Sequence, residues 1–324
     1  MVCVEGPKID RSLHLNFQGD WGQANFHMIL GWLMQELGDR TGSQSRTAVW
    51  NGDGGASAAR AVGSGAMDLA ISTPARLAVN ALEGTGLLLG EPIPGLRAIG
   101  VLPQNDRLVI AVRQELGICT FEDLRRVKPA LKVAISADDG SNHIGFLSHR
   151  LMDAAGAGKR EVESWGGRYY QAARPDSVLS WLHNKEVDAV VQEAIMTPWW
   201  HEMLEDQPLH YLPVEESVLT YLEESYHCRR GLLPKNYFKD LDRELSTLDF
   251  SDFILLVRDD MPDDVAHLLA WCLTETRGTI EARFRHIAPE RSPLSYPLEP
   301  KKMAKTPIPL HPGAKRHYEN YGYL

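Results

Sequence analysis

The clearest structural signal in this chain is GDWGQANFHMILGWLMQEL, residues 19–37, together with its counterpart DGSNHIGFLSHRLMDAAG at 139–156. Each stretch follows a short apolar run, turns through glycine and small polar residues, and then shows the spacing of an amphipathic helix. In a strand–turn–helix unit, the free N–H groups at the helix start point beyond the strand end. Two such units in separate halves predict two α/β lobes that hold one anionic ligand.

A second pair of matching segments supports the repeated plan. ASAARAVGSGAMDLAIST at 56–73 and SVLSWLHNKEVDAVVQEA at 177–194 both predict a helix, an aspartate, an apolar strand and a polar exit. Strands that alternate with helices are typical of α/β proteins, which bind ligands at the carboxyl ends of parallel strands. The sequence therefore predicts an α/β fold with its ligand-binding residues in the strand exits.

Two similar apolar strands are candidates for the segments that cross between the lobes. They are DRLVIAVR at 106–113 and DFILLVRDDM at 252–261. They place lobe I at 1–107 plus 252–324 and lobe II at 108–251, with a hinge near 106–113 and 250–257.

Local signals predict further elements. Pro74 is expected early in a helix over 74–83, because proline is tolerated in the first turn. Residues 120–123 read as a capping box that opens a short helix. A helix is predicted over 262–276 with Gly278 as its stop signal. The tail from residue 288 is expected to wrap the fold and to end in one short helix.

Composition limits the possible functions. The 324 residues are 44% hydrophobic and 24% charged, with a net charge of −9, as in an ordinary globular protein. This acidic balance disfavours nucleic acid and anionic membrane surfaces as partners. No apolar run reaches the roughly 20 residues of a membrane span, so no membrane insertion is expected. Zinc-ligand spacings, dinucleotide fingerprints and P-loops are missing from the sequence, so neither a metal nor a cofactor is predicted.

The N-terminus and the cysteines bear on the cellular compartment. The opening residues lack the pattern of a secretory leader, so the chain as written is expected in the cytoplasm, and in the periplasm if a leader was removed. The four cysteines are far apart in sequence, which favours reduced thiols. A single Cys119–Cys228 bridge remains open as an alternative.

Three segments in the right order resemble a known family. They are IPLHPGAKRHYENYG at 308–322, GGASAARAVGSGAMDLAIST at 54–73 and the 139–156 stretch. Together they resemble the solute-binding proteins of tripartite ATP-independent periplasmic (TRAP) transporters, of the TAXI type. The resemblance implies a type II periplasmic-binding-protein-like fold, with two α/β lobes, a two-strand hinge and a ligand cleft between the lobes. It also implies a small-molecule carboxylate ligand and, if the protein is exported, a membrane permease as partner.

The chain departs from this family in its loops. The first loop reads GDWGQANFH where the family has a GGTYY-like turn, and the second lobe has DGSNHIG in place of a GSGT-like turn. The second lobe's polar exit reads QEA, where small or apolar residues are usual. These loops are the ones expected to touch the ligand, so the resemblance says more about fold than about substrate.

The predicted ligand-binding residues lie in the strand exits and helix starts. A carboxylate would be held by N–H groups at the two helix starts and by hydroxyl groups, although local capping is an equal alternative for the hydroxyls. Trp21 would supply an aromatic wall that favours a larger, aromatic acid. Arg229 would clamp the carboxylate or carry surface charge. The full set is Gly19, Trp21, Ser72, Thr73, Ser141, Asn142, Gln192 and Arg229.

The competing hypothesis is a cytoplasmic, cofactor-independent enzyme on the same scaffold. Asp20, His143 and Glu193 would then form an acid–base set in a decarboxylase or lyase acting on an aromatic or cyclic carboxylic acid. Cys228, beside two arginines, is a candidate low-pKa thiolate or an ordinary loop cysteine.

Overall fold

The structure is a computed structural model that describes residues 5–20, 25–195, 200 and 207–324. The strands are β1 His14–Gln18, β2 Arg46–Trp50, β3 Leu69–Ser72, β4 Leu96–Leu102, β5 Leu108–Arg113, β6 Lys132–Ser136, β7 Arg168–Ala172, β8 Ala189–Glu193, β9 Leu209–Tyr211, β10 Arg230–Leu233, β11 Leu245–Leu248 and β12 Phe253–Arg258. The helices are α1 Asn25–Gly38, α2 Gly55–Gly63, α3 Leu77–Glu83, α4 Phe121–Val127, α5 His143–Ala154, α6 Lys159–Ser164, α7 Pro175–His183, α8 Glu216–Tyr226, α9 Asp263–Glu275, α10 Arg277–Phe284, α11 Pro300–Met303 and α12 Pro312–Asn320.

The chain separates into two compact units, and the first is formed by its two ends. This unit contains residues 1–105 and 251–324. Its five-stranded sheet has the order β2-β1-β3-β12-β4. Strand β1 runs parallel to β2 and β3, whereas β12 runs antiparallel to β3 and β4. The late strand β12 therefore completes a sheet whose other strands come from the beginning of the chain.

The second unit is continuous, from residue 106 to 250, and repeats this plan. Its sheet has the order β7-β6-β8-β5-β9, with β6 parallel to β7 and β8, and β5 antiparallel to β8 and β9. Strands β10 and β11 form a separate antiparallel pair. The predicted α/β class and its internal repetition are confirmed.

The aspartate that precedes the third strand of each repeat has the same structural role in both units. Asp68 Oδ2 accepts a hydrogen bond from Asn16 N at 2.7 Å, and Asp188 Oδ2 accepts one from Lys132 N at 2.9 Å. Each carboxylate thus ties the start of the third strand, which is central in its sheet, to the neighbouring strand β1 or β6, which explains why both repeats contain an aspartate there.

Helical periodicity predicted the buried faces of the longest helices. In α1 the apolar stripe is buried with the exception of Met34, which is half-buried, and Trp32 is buried as well. In α9 the predicted stripe is buried throughout: Val265, Leu268, Leu269, Cys272 and Leu273. The capping box is confirmed too, because Asp123 N donates to Thr120 Oγ1 at 3.0 Å.

Other local predictions are wrong. Helix α3 begins at Leu77, so Pro74 lies before the helix and not in its first turn. Gly278 does not end the helical region, because it lies inside α10. The tail contains two helices, α11 and α12, because Pro300 starts a short extra turn.

Two properties of the described residues bear on the compartment. No helix among them is long and apolar enough to cross a membrane. Cys119, Cys228 and Cys272 are free thiols, so the alternative of a Cys119–Cys228 bridge does not hold.

Candidate ligand-binding site

The carboxyl end of β1 in the first unit leads into Gly19 and Asp20, which are both buried. Gly19 N donates to Trp50 O at 3.0 Å, and a Cβ added at Gly19 would lie only 2.6 Å from His27 Nδ1. The chain at this strand exit therefore approaches α1 closely enough that glycine is favoured. The next predicted ligand residue, Trp21, lies outside the described residues.

Asp20 is bound to the start of α1. Its Oδ2 accepts from Phe26 N at 3.3 Å, and its Oδ1 lies 3.6 Å from His27 Nδ1. Burial raises the pKa of Asp20, although the backbone donor and His27 act in the opposite direction. This aspartate thus caps a helix of the first unit, whereas its predicted acid–base partners His143 and Glu193 belong to the second unit.

A glycine-rich turn after β2, NGDGG at 51–55, is a part of the site that sequence analysis treated only as a loop. Gly54 and Gly55 have φ angles of 67° and 54°, and no side chain caps the start of α2. Beside the turn, Gln18 Oε1 is buried and has no hydrogen-bond partner in the described structure. A Cβ at Gly52 would lie 2.0 Å from Gln18 Nε2. Uncapped N–H groups bind anions, whereas the free amide oxygen of Gln18 would accept from a donor group of a ligand.

Ser72 and Thr73 are the predicted hydroxyl ligands at the end of β3. The fully buried Ser72 Oγ donates to Gly55 O at 3.1 Å, and Thr73 Oγ1 lies 3.4 Å from Asp252 O. Ser72 therefore holds the start of α2 against the sheet. A ligand role for either hydroxyl stays a prediction.

Gln192, at the exit of β8 in the second unit, is fully buried. Its Nε2 donates to Ser136 Oγ at 3.1 Å, and its Oε1 accepts from Glu193 N at 2.9 Å. The side chain therefore fixes the end of β8 against the end of β6. Gln192 was predicted to contact the ligand, but its Nε2 and Oε1 each already form a hydrogen bond within the protein.

The turn between β6 and α5 is held by its own polar groups. Asp139 Oδ1 accepts from both Ser141 N and Asn142 N at 2.9 Å. Asn142 caps α5, because its Oδ1 accepts from Gly145 N at 3.0 Å, while its Nδ2 donates to Ala173 O at 3.0 Å. The two N–H groups expected to hold a carboxylate are thus bonded to Asp139, and their ligand role stays a prediction.

His143 is the first residue of α5 and is buried among aromatic rings. Its imidazole lies 6.4 Å from the ring of Phe146 and 5.9 Å from that of Phe250, measured between centroids. Burial lowers the pKa of His143 to about 4. The ring is therefore neutral near pH 7 and does not supply a charged general acid, which removes one support of the enzyme hypothesis.

Asp106 is a buried acid that the sequence did not single out. Its Oδ1 accepts from Arg107 N at 2.7 Å and from Ile195 N, two residues beyond Glu193, at 3.0 Å. Burial raises the pKa of Asp106 to about 7, and burial beside Asp106 raises the pKa of Glu193 well above its ordinary value. The only signal in the sequence is an aspartate two residues ahead of the apolar strand β5.

The predicted cationic and thiol groups lie in the loop before β10. Arg229 is exposed, whereas its neighbour Arg230 pairs with Glu223 at 2.6 Å. Burial raises the pKa of Cys228 to about 12, so the thiolate hypothesis for this residue is wrong. Among the described residues, no group of three or more His, Cys, Asp or Glu side chains could hold a metal ion.

A sequence model of the NMT1-like family matches residues 30–322. The chain belongs to the NMT1-like family. No curated protein matches the sequence. The narrower resemblance to TAXI-type proteins is not confirmed by this match and stays a prediction.

This NMT1-like protein is similar to several solved structures at low identity. PhnD1 from Prochlorococcus marinus in complex with methylphosphonate has 10% identity and a TM-score of 0.51, over 96% of this chain and 99% of that one. A Xanthomonas citri protein bound to ATP has 14% identity and a TM-score of 0.47, over 95% and 99%. The alkanesulfonate-binding protein SsuA from Xanthomonas axonopodis pv. citri has 15% identity and a TM-score of 0.42, over 89% and 88%. The similarity to PhnD1, together with the two repeated α/β sheets, confirms the predicted periplasmic-binding-protein-like fold.

Proposed function

We propose that this NMT1-like protein is an extracytoplasmic solute-binding protein of the TAXI type, which captures a small organic acid and delivers it to a membrane permease. The acid binds at the carboxyl ends of the parallel strands of the first unit, where the helix α2 begins. The resemblance of three ordered sequence segments supports the TAXI type, and the family and fold support solute binding.

The observation that carries this proposal is the free start of α2, which has no acidic residue in its first turn and no side-chain cap. The starts of α1 and α5 differ, because Asp20 accepts from Phe26 N and Asp139 accepts from Ser141 N and Asn142 N. Helices α4, α6, α7, α8 and α9 have an acidic residue in the first turn, whereas α3, α10, α11 and α12 have none. Because a helix N-terminus carries a partial positive charge, its first turn is where an acidic side chain would compete with an anionic ligand.

An exposed tryptophan supports an aromatic rather than an aliphatic acid. Trp50 ends β2, directly beside Gln18 in the sheet register, and its side chain is 52% exposed. Its indole Nε1 donates to Asn16 Oδ1 at 3.0 Å, which fixes the orientation of the ring. An oriented aromatic surface at a strand exit offers a stacking partner for an aromatic ring.

A panel of organic acids tests this function. We expect aromatic monocarboxylates such as benzoate to raise the melting temperature, and Trp50→Ala to weaken their binding about two- to tenfold, since a stacked ring contributes about 0.5–1.5 kcal/mol. Aliphatic acids should lose much less affinity. The measurement is isothermal titration calorimetry, with native mass spectrometry to detect a co-purified acid.

Leu89→Ala is the control, because Leu89 is a 79% exposed apolar residue of the same unit. It should leave the affinity for every acid unchanged. The proposed function fails if neither aromatic nor aliphatic acids bind and no small molecule is released from the purified protein. Equal losses for both kinds of acid in Trp50→Ala would refute the aromatic preference alone.

A further inference from the structure

Gln18 lies in the middle of the carboxyl edge of the first unit's sheet. It is the last residue of β1, and the register places it between Trp50 of β2 and Ala70 of β3. Residues paired in register share one face of a sheet, and so does Ser72, two positions beyond Ala70. Ser72 Oγ donates to Gly55 O, at the start of α2, at 3.1 Å. Gln18 is therefore on the face that α2 covers, between the exposed indole and the helix start.

The amide of Gln18 is buried and has a free acceptor. The residue is 8% exposed, and its Oε1 has no hydrogen-bond partner in the part of the chain that the structure describes. Its Nε2 lies against the NGDGG turn, 2.0 Å from the position of a Cβ at Gly52. Gly52 N donates to Asp20 O at 3.3 Å, which ties this turn to the exit of β1. The amide thus faces the turn that leads into α2.

The neighbouring side-chain donors on this face are already used within the protein. Trp50 Nε1 donates to Asn16 Oδ1 at 3.0 Å, and Ser72 Oγ donates to Gly55 O. Neither hydrogen is left for Gln18 Oε1. Because a buried carbonyl oxygen without a donor raises the free energy of the protein, a molecule that brings a donor to it gains affinity.

We propose that Gln18 is a specificity-determining residue, whose Oε1 accepts a hydrogen bond from an O–H or N–H group on the ring of the bound acid. This inference rests on the proposed function, in which the carboxylate binds at the start of α2 and the ring stacks on Trp50. Since Gln18 lies between these two places, the donor is a substituent of the ring. The solute class is therefore a hydroxylated or aminated aromatic acid, which this protein prefers to an unsubstituted one.

Ring-substituted benzoates provide the test, by isothermal titration calorimetry. Each ortho, meta and para hydroxybenzoate and aminobenzoate is compared with the fluorobenzoate of the same position, which has no donor. In the wild type we expect at least one position to bind about two- to tenfold more tightly than its fluoro counterpart, as one hydrogen bond contributes. In Gln18→Met, which keeps the chain length but removes the acceptor, this ratio should fall to about one. The hydroxyl and amino series show which donor is preferred.

Gln35→Met, at an exposed glutamine of α1, is the matched control and should keep the wild-type ratio. Gly52→Ala is a second variant, because its methyl group displaces the amide of Gln18, a flexible side chain, and should also remove the preference.

The wild type alone can overturn the inference. Ratios near one at every position would do so even if neither variant folds, and benzoate binding would still support the proposed function. A donor preference that survives in Gln18→Met or Gly52→Ala would equally exclude Gln18 as the acceptor. If no acid binds, the proposed function fails and this inference fails with it.

Discussion

Gly313→Ala is expected to destabilise the first unit by about 3 kcal/mol, at the upper end for overpacking a tight contact. Gly313 lies in the first turn of α12, and a Cβ there would be 2.1 Å from the main-chain oxygen of Asp263, at the start of α9. A main-chain oxygen in a helix cannot rotate away as a side chain can, so α12 must move. Urea denaturation followed by circular dichroism measures the loss.

Gly278→Ala is the matched control for this substitution. Gly278 lies in α10 of the same unit, and no atom lies within 4 Å of the position of its Cβ. Alanine should therefore stabilise the helix by about 0.5–1 kcal/mol. Equal effects of the two substitutions would show that α9 and α12 do not approach each other as described.

Gly145→Ala is expected to cost a similar amount in the second unit, about 3 kcal/mol, for the same reason. The added Cβ would lie 1.9 Å from Ala137 O, just beyond the end of β6. The residue also donates its N–H to Asn142 Oδ1, so displacement of α5 would strain the helix cap. Because this cap forms a predicted ligand loop, binding of an acid should weaken together with stability.

Gly31→Ala separates helix propensity from this steric effect. Gly31 lies in α1, and no neighbouring atom lies within 4 Å of its Cβ position. We expect a small gain in unfolding free energy and unchanged acid binding. If Gly145→Ala unfolds at the same urea concentration as Gly31→Ala, the close contact between α5 and the β6 exit is refuted.

Sequence analysis succeeded where the information is local. The apolar stripes of α1 and α9 follow from a period of 3.6 residues, and the cap at Thr120 follows from two polar residues three positions apart. The repetition of strand, turn and helix indicated the α/β class for the same reason. None of these inferences requires contact between distant parts of the chain.

The role of the HPGA segment could not be read in this way. It served as a family signature, but its function in the structure is packing. His311 Nδ1 accepts from Gly313 N at 3.1 Å, which caps α12. Farther along, Tyr318 Oη donates to Ile99 O at 3.2 Å, across 219 residues of sequence. The partner atoms belong to other elements, which no local pattern identifies.

The candidate site shows the same limit. Glu193 was singled out at a polar strand exit, but Asp106, 87 positions earlier, was missed because it looks like an ordinary polar residue near a strand end. Only the antiparallel pairing of β5 with β8 brings them together. Gln18 was likewise missed, because its relation to the NGDGG turn depends on the parallel pairing of β1 with β2. Sheet order is a non-local property, and these residues depend on it.

The position of β12 has a consequence for how the protein is made. This strand lies between β3 and β4, yet it leaves the ribosome after the whole of the second unit. During translation, β3 and β4 therefore lack their partner strand β12, and their apolar residues stay exposed. Residues 106–250 can meanwhile complete their own sheet. The earliest part of the polypeptide is thus the last to finish folding, and it is the part that most needs chaperone protection during translation.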